Sequence, residues 1–175
     1  MSGFFWGFLL VFLDFSLNLH GHEIGLLPDF VGFLLIFRSA NRMSGYSVRF
    51  SQLTRLSRAM LAFSAFLYVL DLLGSSAKLG MLGHVLALGC SVGGLFAAFL
   101  FTQALFDLQA LRSIELHAQA LHSAWSLLAV CQMVSYLFLM HVLLSTVLAL
   151  ACFGAGIYYL YRLSRCCRAY ADAVG

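Results

Sequence analysis

The sequence predicts an all-α, polytopic membrane protein: a six-transmembrane-helix bundle with both termini on the cytoplasmic side (N-in and C-in). Three observations predict it. The chain has 175 residues, 62% apolar and 10% charged, whereas a soluble domain carries about 25% charged residues on a mostly polar skin. Apolar runs long enough to enter or cross a hydrocarbon core recur six times. The arginines fall on alternate connections between those runs, as the positive-inside rule requires. Disorder, a disulfide-stapled secreted module and a soluble nucleic-acid binder are excluded. At about 20 residues per span, residues 1–175 form a single transmembrane domain with no room for a second.

The first span covers about 3–19. It lacks a basic leader and a small-x-small cleavage site and carries Asp14 in its apolar body, so it reads as a retained helix rather than a signal peptide. The second, about 24–37, is short and broken by Leu27-Pro28-Asp29. Proline has no N–H to donate and pushes the residue before it out of the helical region. This short second helix is therefore expected to start at Pro28 with Asp29 in its first turn, leaving Gly21 to Leu27 as irregular backbone. Residues 38–58 read as a basic cytoplasmic interfacial segment, in which Arg38, Arg42, Arg49, Arg55 and Arg58 alternate with Met43, Tyr46, Phe50, Leu53 and Leu56. That pattern suits contact with anionic lipid headgroups; a solvated basic loop is the plainer alternative.

The third span covers about 59–77 and the fourth about 79–106. The fourth has no Asp, Glu, Lys or Arg and carries Gly80, Gly83, Ala87, Cys90, Ser91, Gly94 and Ala98 in small-x-x-x-small relations, so it is expected to be central. Gly83, Ala87, Gly94 and Ala98 are also the expected face for a homo-oligomer or a membrane protein partner. Residues 107–122 are an amphipathic cytoplasmic connection, with Leu108, Leu111, Ile114, Ala118 and Leu121 on one face and Arg112, Glu115, Gln119 and His122 on another. The uncharged stretch from Leu116 to Tyr161 holds the last two spans, about 123–140 and 142–161, divided near His141. A basic C-terminal tail, 162–175, follows with Arg162, Arg165 and Arg168.

Orientation follows from counting. With both termini inside, all nine arginines are cytoplasmic and only Lys78 is outside, which is the bias that sets topology over short loops.

Ionisable side chains inside spans usually face the bundle interior and are functional candidates by default. In this topology they collect toward the outer side. Asp14 and Asn18 at i, i+4 share one helical face, as do Ser64, Tyr68, Asp71 and Ser75. A carboxylate in hydrocarbon must hold a proton or find a partner. Asp14, Asn18, Asp29, Asp71, Tyr68 and His84 are therefore expected to bind a substrate or ion, with His20, His22, Glu23 and His141 as an outer rim. The plainer readings are a first-turn acid at Asp29, interhelical hydrogen bonds at Asp14 and Asp71, and packing histidines.

Chemistry beyond binding is not signalled. His22-Glu23 lacks the second histidine of H-E-x-x-H, and phosphate-loop, dinucleotide and G-x-S-x-G patterns are missing. His84 and His141 are the one pair that a haem could use, and no cofactor is expected. Cys90, Cys131 and Cys152 lie in apolar runs and read as small packing residues.

The stretch Leu13-Asp14-Phe15-Ser16-Leu17-Asn18, with Ile24-Gly25-Leu26-Leu27-Pro28-Asp29-Phe30-Val31-Gly32-Phe33, resembles a group of small uncharacterised integral membrane proteins of Gram-positive anaerobic bacteria. The resemblance covers about 25 residues and implies a multi-pass protein of the bacterial cytoplasmic (inner) membrane, without an activity. The expected function is binding or passage of a small solute or cation through an outward-facing polar vestibule. The alternatives are a non-catalytic membrane subunit or immunity-type interaction protein and, third, a metal-dependent membrane enzyme.

Overall fold

The computed structural model describes residues 1–12, 16–19, 22–25, 29–72, 81–137 and 142–174. Among these residues six helices form: α1 (Ser2–Phe12), α2 (Asp29–Met43), α3 (Val48–Leu72), α4 (Met81–Arg112), α5 (Ala118–Leu137) and α6 (Val142–Val174). Four of them, α3 to α6, are long and apolar enough to cross a membrane. The first two differ from the spans expected there. With 11 and 15 residues, α1 and α2 reach about 16 and 22 Å at 1.5 Å per residue, short of a hydrocarbon core of about 30 Å.

Between α1 and α2 the chain forms an antiparallel hairpin of β1 (Ser16–Leu19) and β2 (His22–Gly25), with Ser16 opposite Gly25 and Leu19 opposite His22. The expectation of irregular backbone through Gly21 to Leu27 is thus corrected over His22–Gly25. The reason lies in the period of the sequence. From Ser16 to Leu19 polar and apolar residues alternate, a period of two that suits a strand. Strand pairing also satisfies backbone groups that apolar surroundings would otherwise leave without partners. Helix α2 begins at Asp29, while Pro28 lies outside the described residues.

Successive helices run antiparallel, as the cross-helix contacts show. Gly3 lies against Ser39 and Gly7 against Gly32 and Ile36. Arg49 meets Gln103, Gly93 meets Met60, and Phe106 meets His122. The Cys167 thiol donates to the Met1 carbonyl, so the N-terminus lies beside the C-terminal part of α6. Both termini, the 44–47 turn and the 113–117 connection therefore share one end of the bundle, and Arg38, Arg42, Arg49, Arg112, Arg162, Arg165 and Arg168 lie toward it. This is the arginine end. Each helix packs on the next, α6 returns to α1, and α1 reaches across to α4.

The centre is occupied by α1 as well as by α4. Phe4 and Phe8 are fully buried, with Phe4 4.5 Å from Phe101, Phe8 5.6 Å from Phe101 and 6.0 Å from Tyr159 between ring centroids. This aromatic cluster ties α1, α4 and α6. The small residues of α4 are spent on the same packing: Gly94 faces Val11 of α1, and Ala97 and Ala98 are buried. Gly94 and Ala98, expected on a face for a partner, here lie buried inside the bundle. Gly83 is half-buried, and the Ala87 side chain lies outside the described set.

One close helix crossing was not expected. A methyl group added at Gly7 would come within 2.9 Å of the Gly32 carbonyl, and one at Gly32 within 2.8 Å of the Gly7 carbonyl. Two glycines let α1 and α2 touch backbone to backbone, the contact that small residues permit where lipid offers no hydrophobic drive. Three buried hydroxyls are satisfied within their own helices: Thr54 donates to the Phe50 carbonyl, Ser64 to Met60 and Thr102 to Ala98, each at 2.8 Å.

Candidate functional site

The expected polar site lies at the end opposite most of the arginines, and the structure describes two of its side chains. Asp29 opens α2 and continues that helix's buried stripe of Gly32, Phe33, Ile36, Ala40 and Met43, at i+3, i+4, i+7, i+11 and i+14. The stripe turns Asp29 inward. The Cys90 thiol of α4 donates to its Oδ2 at 3.6 Å. As a first-turn acid, Asp29 also meets the positive end of the α2 dipole. Next to it, Phe30 packs edge-on against Tyr68 of α3, with ring centroids 5.4 Å apart. A carboxylate, a thiol and a phenol thus come from α2, α4 and α3 to one level of the bundle.

Asp14, His20 and His141 lie outside the described residues, as do the side chains of Asn18, His22, Glu23, Asp71 and His84. By backbone, Asn18, His22 and Glu23 are in the hairpin, Asp71 in the last turn of α3 and His84 in the first turn of α4. Ser64, on the expected inward face of α3, is buried with its hydroxyl held by the Met60 carbonyl, so it is occupied by its own helix. Among the described residues no group of three His, Cys, Asp or Glu stands close enough to hold a metal.

A second set of polar residues ties the arginine end, and sequence reasoning missed it. Ser47 donates to Asp107 Oδ2 at 2.5 Å, Arg49 Nη1 donates to Gln103 Oε1 at 2.5 Å and to the Gln103 carbonyl at 3.2 Å, and Arg49 Nε lies 3.6 Å from Asp107. The Arg112 guanidinium sits between the Tyr46 ring, at 5.1 Å, and the Tyr170 ring, at 5.9 Å, a pair of cation–π contacts. One signal was available: Gln103 and Asp107 are spaced i, i+4 at the end of a helix, facing a basic segment across a hairpin.

Part of this network lies in the segment 38–58 that was expected at the interface. The segment is helical on either side of the 44–47 turn, with α2 ending at Met43 and α3 starting at Val48. Arg49 is half-exposed and bound to Gln103 and Asp107 of α4, and Arg58 lies over the Phe37 ring at 5.3 Å. Arg38, Arg42 and Arg55 are exposed and keep their heads available to solvent or headgroups.

Large apolar side chains face outward in helical stripes: Val85, Leu88, Val92 and Phe96 on α4, Leu127, Val130 and Met133 on α5, and Val147, Leu150 and Phe153 on α6. A soluble monomer rarely exposes so much continuous apolar surface; lipid is the solvent that accepts it. The chain matches no family model, no curated protein and no solved structure.

Proposed function

We propose that this chain is a multi-pass protein of the bacterial cytoplasmic membrane that binds or passes a small solute or cation at a polar site centred on Asp29, open to the outer face. The observation that carries the reading is the placement of a carboxylate on the buried stripe of α2, against Cys90 of α4, at the end of the bundle with the fewest basic groups. Asp14, Asn18, Asp71, Tyr68 and His84 are its proposed companions, and His20, His22, Glu23 and His141 its rim. A carboxylate facing the interior of a membrane bundle is the usual handle for a proton or a cation. The arginine end is cytoplasmic in this reading. Six crossings remain the proposed topology, with α1–β1 and β2–α2 each crossing as helix plus strand. At about 1.5 Å per helical residue and about 3.3 Å per strand residue these reach roughly 30 and 36 Å.

Proteoliposomes loaded with a pH-sensitive dye test the reading, with a proton gradient and then a sodium gradient imposed. The wild-type chain should give a flux that Asp29→Asn abolishes and that Asp14→Asn and Asp71→Asn reduce. Wild-type flux at the level of empty liposomes for both ions, with no sodium binding by calorimetry, refutes a cation site.

One observation favours a second reading, a non-catalytic subunit that docks another membrane protein. On α6, Val147, Leu150 and Phe153 are exposed, and a methyl group added at Gly154 would meet nothing within 4 Å. Under that reading the aspartate variants lower thermal stability and leave flux at background.

A further inference from the structure

At the arginine end the start of α5 and the C-terminal half of α6 enclose a cleft of about 460 Å³, lined by His117, Gln119, His122, Ser123, Arg162 and Arg165 among others. Two arginines, two histidines and a glutamine line it, while the Ser123 hydroxyl donates to the Ala120 carbonyl at 3.0 Å and the His122 ring packs against Phe106 and Trp125. Among its described lining residues there is no Asp or Glu. Arg162 and the His117 backbone are held in place. Arg162 donates from Nε and Nη2 to the Tyr158 hydroxyl at 3.0 and 2.8 Å. The His117 backbone is left-handed, with φ 54°, and its carbonyl accepts from the N–H groups of Ala120 and Leu121 and from the Cys166 thiol of α6. That thiol ties the entry of α5 to the wall opposite. Helix α5 starts at Ala118, so the positive end of a 20-residue helix adds to the same region.

We infer that this cleft binds a phosphate group. Arginine's planar fork matches phosphate oxygens two at a time, and a helix N-terminus favours the same charge. The apolar band beside the cleft points to the source. One to two turns toward the opposite end, the same helices expose Leu127, Val130, Tyr158 and Tyr161, the aromatic and aliphatic belt found where headgroups meet acyl chains. An anionic glycerophospholipid places its phosphate at the arginines and its chains along that band. The inference concerns the other end of the bundle from Asp29 and does not depend on the solute site.

The test uses the full-length protein in detergent, titrated with phosphatidylglycerol, with phosphatidylcholine and with inorganic phosphate, read by native mass spectrometry. Phosphatidylglycerol should bind at least about tenfold more tightly than phosphatidylcholine. Exposed Arg165 is the first target: Arg165→Gln should weaken phosphatidylglycerol binding about tenfold, the loss of one strong charge-assisted contact, and Arg165→Lys should keep part of it. Arg168→Gln, an exposed arginine of the same helix outside the cleft, should change nothing. If Arg165→Gln does not fold, His122→Gln should give a smaller loss in the same direction. Saturable inorganic phosphate binding that Arg165→Gln weakens, without preference between the lipids, identifies a free phosphate as the source. Equal losses in Arg165→Gln and Arg168→Gln, or neither lipid preference nor phosphate binding, overturn the inference.

Discussion

At the arginine end Leu108, Leu116, Leu121 and Leu163 are fully buried, and the helices are tied across their termini by Ser47, Arg49, Gln103, Asp107 and the Arg112 sandwich. Toward the other end the same helices turn Val92, Phe96, Val130, Met133, Val147 and Leu150 outward, and α1 meets α2 and α4 through close contacts at Gly7, Gly32 and Gly94. One half packs like a water-soluble core with a polar skin; the other packs like a membrane bundle, where close fit replaces the hydrophobic drive. The chain thus changes solvent along its own helices. The length of α4, 32 residues, and α6, 33 residues, or about 48 Å each, is what carries them out of a core of about 30 Å into the interface.

Matched substitutions in the two regions sharpen that contrast. The largest effect is expected at the aromatic cluster: Phe101→Ala should cost about 3–5 kcal/mol of stability in detergent, while Leu150→Ala, on an outward face, should cost under about 0.5 kcal/mol. Comparable losses at both positions, measured by thermal unfolding, would break the distinction. Next comes the helix crossing. Gly7→Ala forces a methyl against the Gly32 carbonyl and Ile36 and should cost about 2 kcal/mol. Gly154→Ala meets open space and should be neutral or stabilising by up to about 1 kcal/mol. The smallest difference is at the polar ties: Asp107→Ala should cost about 1 kcal/mol, because both Ser47 and Arg49 lose a partner, whereas exposed Arg55→Gln should stay within about 0.5 kcal/mol.

The solvent and the alternation of helix direction were legible in the sequence, because charge depletion and arginine placement are properties of whole segments. The first-turn position of Asp29 was legible from proline punctuation, but its inward setting was not read, because the stripe Gly32, Phe33, Ile36 and Ala40 that carries it is hidden in a uniformly apolar run. The hairpin was not, because apolar content over 3–19 outweighed a short alternating pattern of Ser16, Leu17, Asn18 and Leu19. Helix ends were misjudged for a related reason: Arg49, Arg55 and Arg58 looked like the border of a span, yet helices continue through the interface wherever their charges find partners or water. The Gly7–Gly32 contact joins single glycines from separate segments, and neither stands out alone. Gly80 to Ala98 of the fourth span did announce a packing face, but periodicity does not tell an internal partner from an external one.

The central claim is that the arginine end and the Asp29 end lie on opposite sides of a membrane, with the arginines inside. Labelling of single cysteines in a cysteine-free variant, with a membrane-impermeant maleimide on intact bacterial cells, tests it most directly. Ser44→Cys and Ser113→Cys should react only after the membrane is permeabilised, and Leu137→Cys should react without permeabilisation; labelling of Ser44→Cys on intact cells would contradict the account.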